Sequence, residues 1–297
     1  MKRKRHRAKP HSALDALRPF AVCERTDYQK SVLASNTTRI SALCATVAGF
    51  AADSAISSEI VGYSNKDTAA AKWSILGVQF TTVKGEYKLN DLVSGLTGVN
   101  YDDGGAWKNT APQIQVPNGV GYDLYYYLND AWDEVKQTTV PGWADTVGNL
   151  APAATVTPGV AVWLKSPTVD GTACVSGAVD GADSADVACP VTFALRANVF
   201  PVSVKLNTAN VTSSDIVGST YDEGGTWKNT APQIQIPNGV GYDLYYYLTD
   251  AWDEVKQITV PGWADTVGNL ATGATITTAQ GFWTKGVGSP FTLTFVK

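Results

Sequence analysis

From Ser57 to Lys297 the apolar residues fall in short runs and not in helical stripes. Ile60-Val61-Gly62-Tyr63, Trp73 to Phe80 and Gln113 to Val116 are rich in β-branched and aromatic residues and are bounded by polar turns, the mark of short strands. Pro117-Asn118-Gly119 is a turn signal, with Asn-Gly supplying positions that accept φ > 0. Tyr122 to Leu128 reads as the returning strand, Asn129-Asp130-Ala131 as another turn, Trp132 to Val140 as the next strand and Val160 to Lys165 as the last. Residues 89–96 (LNDLVSGL) can form one short helical turn, but no stretch sustains a helical period. The pattern predicts an all-β sandwich or barrel.

The pattern occurs twice. Residues 101–150 and 221–270 are identical at forty-five of fifty positions, differing only at 103/223, 106/226, 116/236, 129/249 and 138/258. The offset of 120 extends upstream, where Trp73 matches Phe193 and Phe80 matches Phe200, and downstream, where Val160 to Lys165 matches Gln280 to Lys285. A whole domain is therefore duplicated, its front half more diverged than its back half. The expected organisation is a basic head (1–38), a signal-like segment (39–56), a first β-module (57–172), a loop or linker closed by cysteines (173–190) and a second β-module (191–297).

Charge divides the chain. Residues 1–39 hold ten Lys or Arg and three acids, whereas 40–297 hold 13 basic and 24 acidic residues. An acidic body repels phosphate, so nucleic acid could engage only the basic head. That head lacks periodicity and is expected to be disordered. Both histidines, His6 and His11, lie in it, so the modules contain no Ser–His–Asp or Cys–His pair and no His-ligated zinc. Arg196 is the only arginine after residue 39, which argues against an arginine phosphate clamp. Arg39 followed by about a dozen apolar or small residues has the layout of a secretory signal, too short for a stable membrane span. The expected location is extracellular or at the cell surface. Cys174 and Cys189 enclose a polar Asp-, Gly- and Ala-rich segment. A disulfide between them would close a loop of about 15 residues and contribute roughly 3 kcal/mol, and would agree with export; the alternative is two buried thiols.

Several motifs together resemble a family of exported bacterial β-modules of largely uncharacterised role. They are the signal-like segment and its S-x-I-V-G-Y sequel, Gly77–Phe80, Gln113–Val116, Gly121–Tyr127, Trp132–Glu134 and Pro158–Lys165. The resemblance covers about residues 39–297 and implies export and a β fold, without implying an activity. The second copy departs from it by lacking the I-V-G-Y entry and by reading Thr278-Ala279 in place of Pro158-Gly159.

Alternation along Tyr122–Leu128 puts Tyr122, Leu124, Tyr126 and Leu128 on one face, read as core. Asp123, Tyr125, Tyr127 and Asn129 fall on the other. Tyr125 and Tyr127, with Trp132 beside them, could form a flat platform for a sugar ring with Asp123 as a hydrogen-bonding neighbour; Tyr245, Tyr247, Trp252 and Asp243 repeat the set. The alternative is cross-strand aromatic packing. Asp102, Asp103, Asp130, Asp133 and Glu134 could offer oxygen ligands to calcium or a glycosidase pair, but without a recognisable metal-loop spacing they read as solvated turn carboxylates. The tryptophans at 107/227, 132/252, 143/263 and 163/283 read mostly as core or turn anchors. The sequence thus predicts a non-enzymatic surface, matrix or adhesive protein needing no cofactor or metal. Its expected partners are a surface glycan or neighbouring copies of itself. The alternatives are a carbohydrate-binding protein using the Tyr/Trp face and a filament or particle subunit with a basic arm.

Overall fold

The computed structural model describes residues 61–80, 88–166 and 168–297. The basic head, the signal-like segment, Cys23, Cys44 and Ile60 lie outside the described residues. The first copy contributes β1 (Val61–Thr68), β2 (Trp73–Gly77), β3 (Val93–Ser94), β4 (Gln113–Pro117), β5 (Tyr122–Asp133), β6 (Thr138–Ala144), β7 (Ala161–Lys165) and β8 (Gly171–Ala178). They form a five-stranded sheet of order β2-β7-β4-β5-β6 and a three-stranded sheet of order β1-β8-β3. The second copy contributes β9 (Ser184–Cys189), β10 (Ala194–Ala197), β11 (Val204–Lys205), β12 (Val211–Ser214), β13 (Gln233–Pro237), β14 (Tyr242–Asp253), β15 (Ile258–Ala264), β16 (Thr275–Ile276), β17 (Gly281–Lys285) and β18 (Phe291–Val296). Its sheets repeat the first copy's orders as β10-β17-β13-β14-β15 and β12-β18-β9, with β11 and β16 as a short extra pair. The fold is all-β, and its named strands pair antiparallel, as the alternating runs require.

The predicted loop or linker over 173–190 is corrected. It consists of most of β8 and all of β9, and these two strands belong to different copies. β8 pairs with β1 and β3, whereas β9 pairs with β18. β9 therefore occupies the place of β1 in the second copy, and the missing I-V-G-Y motif is replaced by an unrelated sequence in the same position. The disulfide is corrected too. Cys174 and Cys189 are buried thiols. Cys174 is held opposite Asn65 and Ser94, and Cys189 opposite Phe291 in the other sheet system. Strand pairing, and not a flexible loop, fixes both sulfurs, so the cysteine pair lends no support to an oxidising compartment.

The strand β5 runs unbroken through Asn129-Asp130-Ala131, the site of a predicted turn. A bulge between Leu128 and Ala131 takes up the extra residues. The chain reverses at 134–137 instead, where Asp133 Oδ1 accepts the N–H groups of Val135 and Lys136 at 3.0 Å. The Asn-Gly turn is wider than a two-residue hairpin. Only Gly119 has φ > 0, at 89°, and Asn118 Oδ1 accepts the N–H groups of Val120 and Gly121.

Each copy buries an apolar layer between its sheets. Val162, Leu164, Ile114 and Val116 oppose Val93, Ala173 and Val175 in the first, and Ala279 of the second copy completes this cluster. Ile234, Ile236 and Phe282 oppose Val187, Leu293 and Phe295 in the second. Trp143 and Trp263 are buried within these layers. The N–H of Trp143 donates to Asn90 Oδ1 at 2.6 Å while Asn90 Nδ2 donates to Ala151 O. Asn207 repeats both bonds with Trp263 and Ala271, although Asn90 lies in the short helix Leu89–Leu92 and Asn207 in a turn.

Candidate functional site

Alternation along β5 separates the two sets of side chains correctly, and both faces are covered: Tyr126 and Leu128 are buried as expected, while the face expected to form an open platform is turned inward. Tyr125 and Tyr127 point into the layer between the sheets and pack against the core. Tyr127 meets Trp143 edge-on at 5.3 Å, and Tyr247 meets Trp263 in the same way at 5.3 Å. Burial raises the pKa of Tyr125, Tyr127, Tyr245 and Tyr247 above the ordinary phenol value, with neighbouring aspartates adding to the effect at Tyr125 and Tyr245. No flat platform forms there, because perpendicular rings inside a sandwich present edges to one another. Asp123 and Asp243 serve the hairpin, accepting from Asn118 and Asn238 at 2.7 Å. Trp132 and Trp252 lie beyond the bulge and are 38% and 37% exposed.

The face expected to be core buries Tyr126 and Leu128 in a second apolar cluster on the other, outer side of the sheet, with Ala131 and Ala144. Its far end is roofed by Trp107, which packs edge-on against Tyr126 at 4.9 Å from the short helix Trp107–Thr110; Trp227 does the same over Tyr246. Asp102 holds this helix by accepting from the N–H groups of Ala106 and Trp107. Asp130 accepts from the N–H of Tyr101, and Asp133 is paired with Lys136 at 3.0 Å. These carboxylates are spent on turns and caps. Among the described residues no group of three or more His, Cys, Asp or Glu is placed to hold a metal ion, and no helix is long and apolar enough to cross a membrane.

The near end of the outer face stays open and carries the most distinctive constellation. The registers place Trp73 opposite Lys165, Trp163 opposite Gln115, and Gln113 opposite Lys165, so all five side chains share one face. In the second copy Trp283 lies opposite Gln235 and Lys285 opposite Gln233, with Phe193 in place of Trp73. The two copies meet here. Gly77 N–H donates to Ala279 O at 2.9 Å, and Ala197 N–H donates to Gly159 O at 2.8 Å. Adding 120 to one donor and subtracting it from the acceptor gives the other bond, so the contact is exchanged about a pseudo-twofold axis, as in an isologous dimer interface. The bridges Leu76–Gln280 and Val160–Arg196 obey the same rule.

No family model, curated protein or solved structure matches the chain.

Ile75, Ala161, Leu195 and Ala197 close the apolar floor of the junction, with Trp163 and Trp283 against it. Gln79 stitches it by accepting from Ala279 N–H at 2.7 Å and donating to Phe200 O at 3.1 Å. Above this floor four rings run in series. Trp73 to Trp163 is 6.3 Å, Trp163 to Trp283 is 6.1 Å and Trp283 to Phe193 is 6.1 Å, each pair edge-on. Lys165 Nζ lies 5.7 Å from the Trp73 ring and Lys285 Nζ 5.2 Å from the Phe193 ring. Trp73 and Phe193 are 39% and 47% exposed. Sequence reasoning left Trp163 and Trp283 among structural anchors and passed over Trp73, Phe193, Gln115, Gln235 and both lysines. The recurring W-x-K of β7 and β17, with glutamines alternating along β4 and β13, is the signal that could have found them. Arg196, whose pKa is lowered by burial, donates to Ala188 O and Leu195 O and is structural.

Proposed function

We propose that this protein is a non-enzymatic surface or matrix component, exported and adhesive, in which two duplicated β-modules present one binding surface. The observation that carries the reading is the pseudo-twofold junction, which brings the open aromatic ends of both copies into one series of rings. A pair of modules acting only as spacers needs no such exposed aromatic series. Large exposed aromatic groups rimmed by polar side chains are characteristic of interaction sites. The signal-like segment following Arg39 supports export. The acidic body and its lack of histidine support binding over hydrolysis.

The test is fractionation of the producing cells with protease shaving, together with N-terminal sequencing of the recovered protein. The expected result is a chain accessible from outside the cell and trimmed within residues 39–56. An intact chain starting at residue 1 and protected inside the cell overturns the proposal.

A further inference from the structure

We infer that the ring series at the module junction binds a linear acidic polysaccharide, one bearing a carboxylate on its sugars. This inference rests on the adhesive reading above and names the ligand of the same surface.

Three features converge on that chemistry. The rings of Trp73, Trp163, Trp283 and Phe193 follow one another at 6.1–6.3 Å, offering consecutive apolar patches to the C–H faces of successive sugars. Gln115 and Gln235 sit beside Trp163 and Trp283 in register. Among the described residues their amides bond no protein group, unlike Gln113 and Gln233, whose amides donate to Lys108 O and Lys228 O. An outward, unengaged amide beside an aromatic ring can donate to and accept from hydroxyls. The third feature is charge. The ion pairs among the described residues are Lys136–Asp133 and Lys256–Asp253, so Lys165 and Lys285 stand at the two ends of the series without a carboxylate partner. In a body with 24 acidic and 13 basic residues after position 39, two unpaired ammonium groups on one aromatic surface call for an anion. A carboxylate supplies it and can bond each ammonium directly.

The same features choose among polymers. Single-stranded nucleic acid also stacks on aromatic rings, but it brings a phosphate at every nucleotide to a body that repels phosphate, whereas the ring series carries one lysine at each end. A neutral glycan leaves both lysines unanswered. The pseudo-twofold axis inverts one half-site relative to the other. Stacking and ion pairing need no fixed chain direction, so both halves can engage one strand and gain avidity.

The experiment is calorimetric titration of the full chain with a galacturonate hexamer, a neutral cello-hexamer and a twelve-residue oligothymidylate, at low and high salt. The expected order is galacturonate at least tenfold tighter than either comparator, weakening with salt. The double variant Lys165→Gln, Lys285→Gln is expected to erase the preference for the acidic over the neutral hexamer. The double variant Gln115→Ala, Gln235→Ala is expected to weaken binding several-fold with an unchanged melting temperature, which separates a lost contact from a lost fold. Absent galacturonate binding, equal binding of the neutral hexamer, or tighter binding of the oligothymidylate overturns the inference. Each of those results, with the protein still exposed on cells, leaves the adhesive reading standing; a protein retained inside the cell removes that reading independently.

Discussion

Asn90 and Asn207 are a clear case of one side chain setting a fold position without help from its local sequence. Each accepts the N–H of a buried tryptophan and donates to a carbonyl across the same turn. Substituting Asn207→Ala leaves the Trp263 N–H unsatisfied within the buried layer. The expected cost is about 1–3 kcal/mol, read as a lower midpoint in urea, and Asn90→Ala is expected to match it. Cys189 makes a second prediction. Burial pushes its thiol up to about 11, so little thiolate is present near neutral pH. Iodoacetamide at pH 8 is expected to leave it unmodified in the native protein and to label it fully in guanidinium. Recovery of a Cys174–Cys189 disulfide from a non-reducing digest would contradict the structure.

At the scale of elements, the turns after β5 and β14 contribute acid sensitivity. Hydrogen bonds from the Lys136 and Lys256 backbones, then from their side chains, hold Asp133 and Asp253 below the ordinary aspartate value. A depressed folded-state pKa contributes stability that is complete above the unfolded value of about 3.9 and is lost as pH falls through the folded value. The melting temperature should therefore hold at mildly acidic pH and fall once the pH drops below the usual aspartate range. The double variant Asp133→Asn, Asp253→Asn keeps an acceptor at each turn and should show a shallower fall across that range. The bulge at Leu128/Ala131 explains why a turn was expected there: Asn129-Asp130 has turn composition, but pairing with β6 on both sides keeps the strand going.

At the scale of the molecule, the two copies form one compact unit, and small residues at the pseudo-twofold axis permit it. A Cβ placed on Gly281 would fall on Ile75 Cγ2 and on Ala161 Cβ, and one on Gly77 would lie 3.0 Å from Ala197 Cβ. Each glycine of one copy thus faces an alanine of the other, at positions that are equivalent under the offset of 120. Gly281→Ala should destabilise the protein by about 1–3 kcal/mol through overpacking. Adding Ala161→Gly removes one of the two contacts and should restore part of the loss, the Ile75 contact keeping the rest, a coupling measurable by a double-mutant cycle. Additive losses would show that the two positions do not share the contact.

The sequence by itself determined what repeats and what alternates: an all-β chain, a whole-domain duplication, the strands β2, β4 and β7 with the first half of β5 and their copies, and one helical turn at Leu89–Leu92. Those are properties of neighbours in the chain, where period and turn chemistry act. Tertiary structure alone decided that both faces of β5 are covered, because alternation marks one apolar face and only the opposing sheet packs over Tyr125 and Tyr127 while the Trp107 helix covers Tyr126. It also decided that β9 takes the place of β1, since backbone pairing with β18 needs no shared motif. The ring series was illegible for the same reason: Trp163 and Trp283 are 120 residues apart in the sequence, and only the exchanged bonds of Gly77 and Ala197 bring them to 6.1 Å.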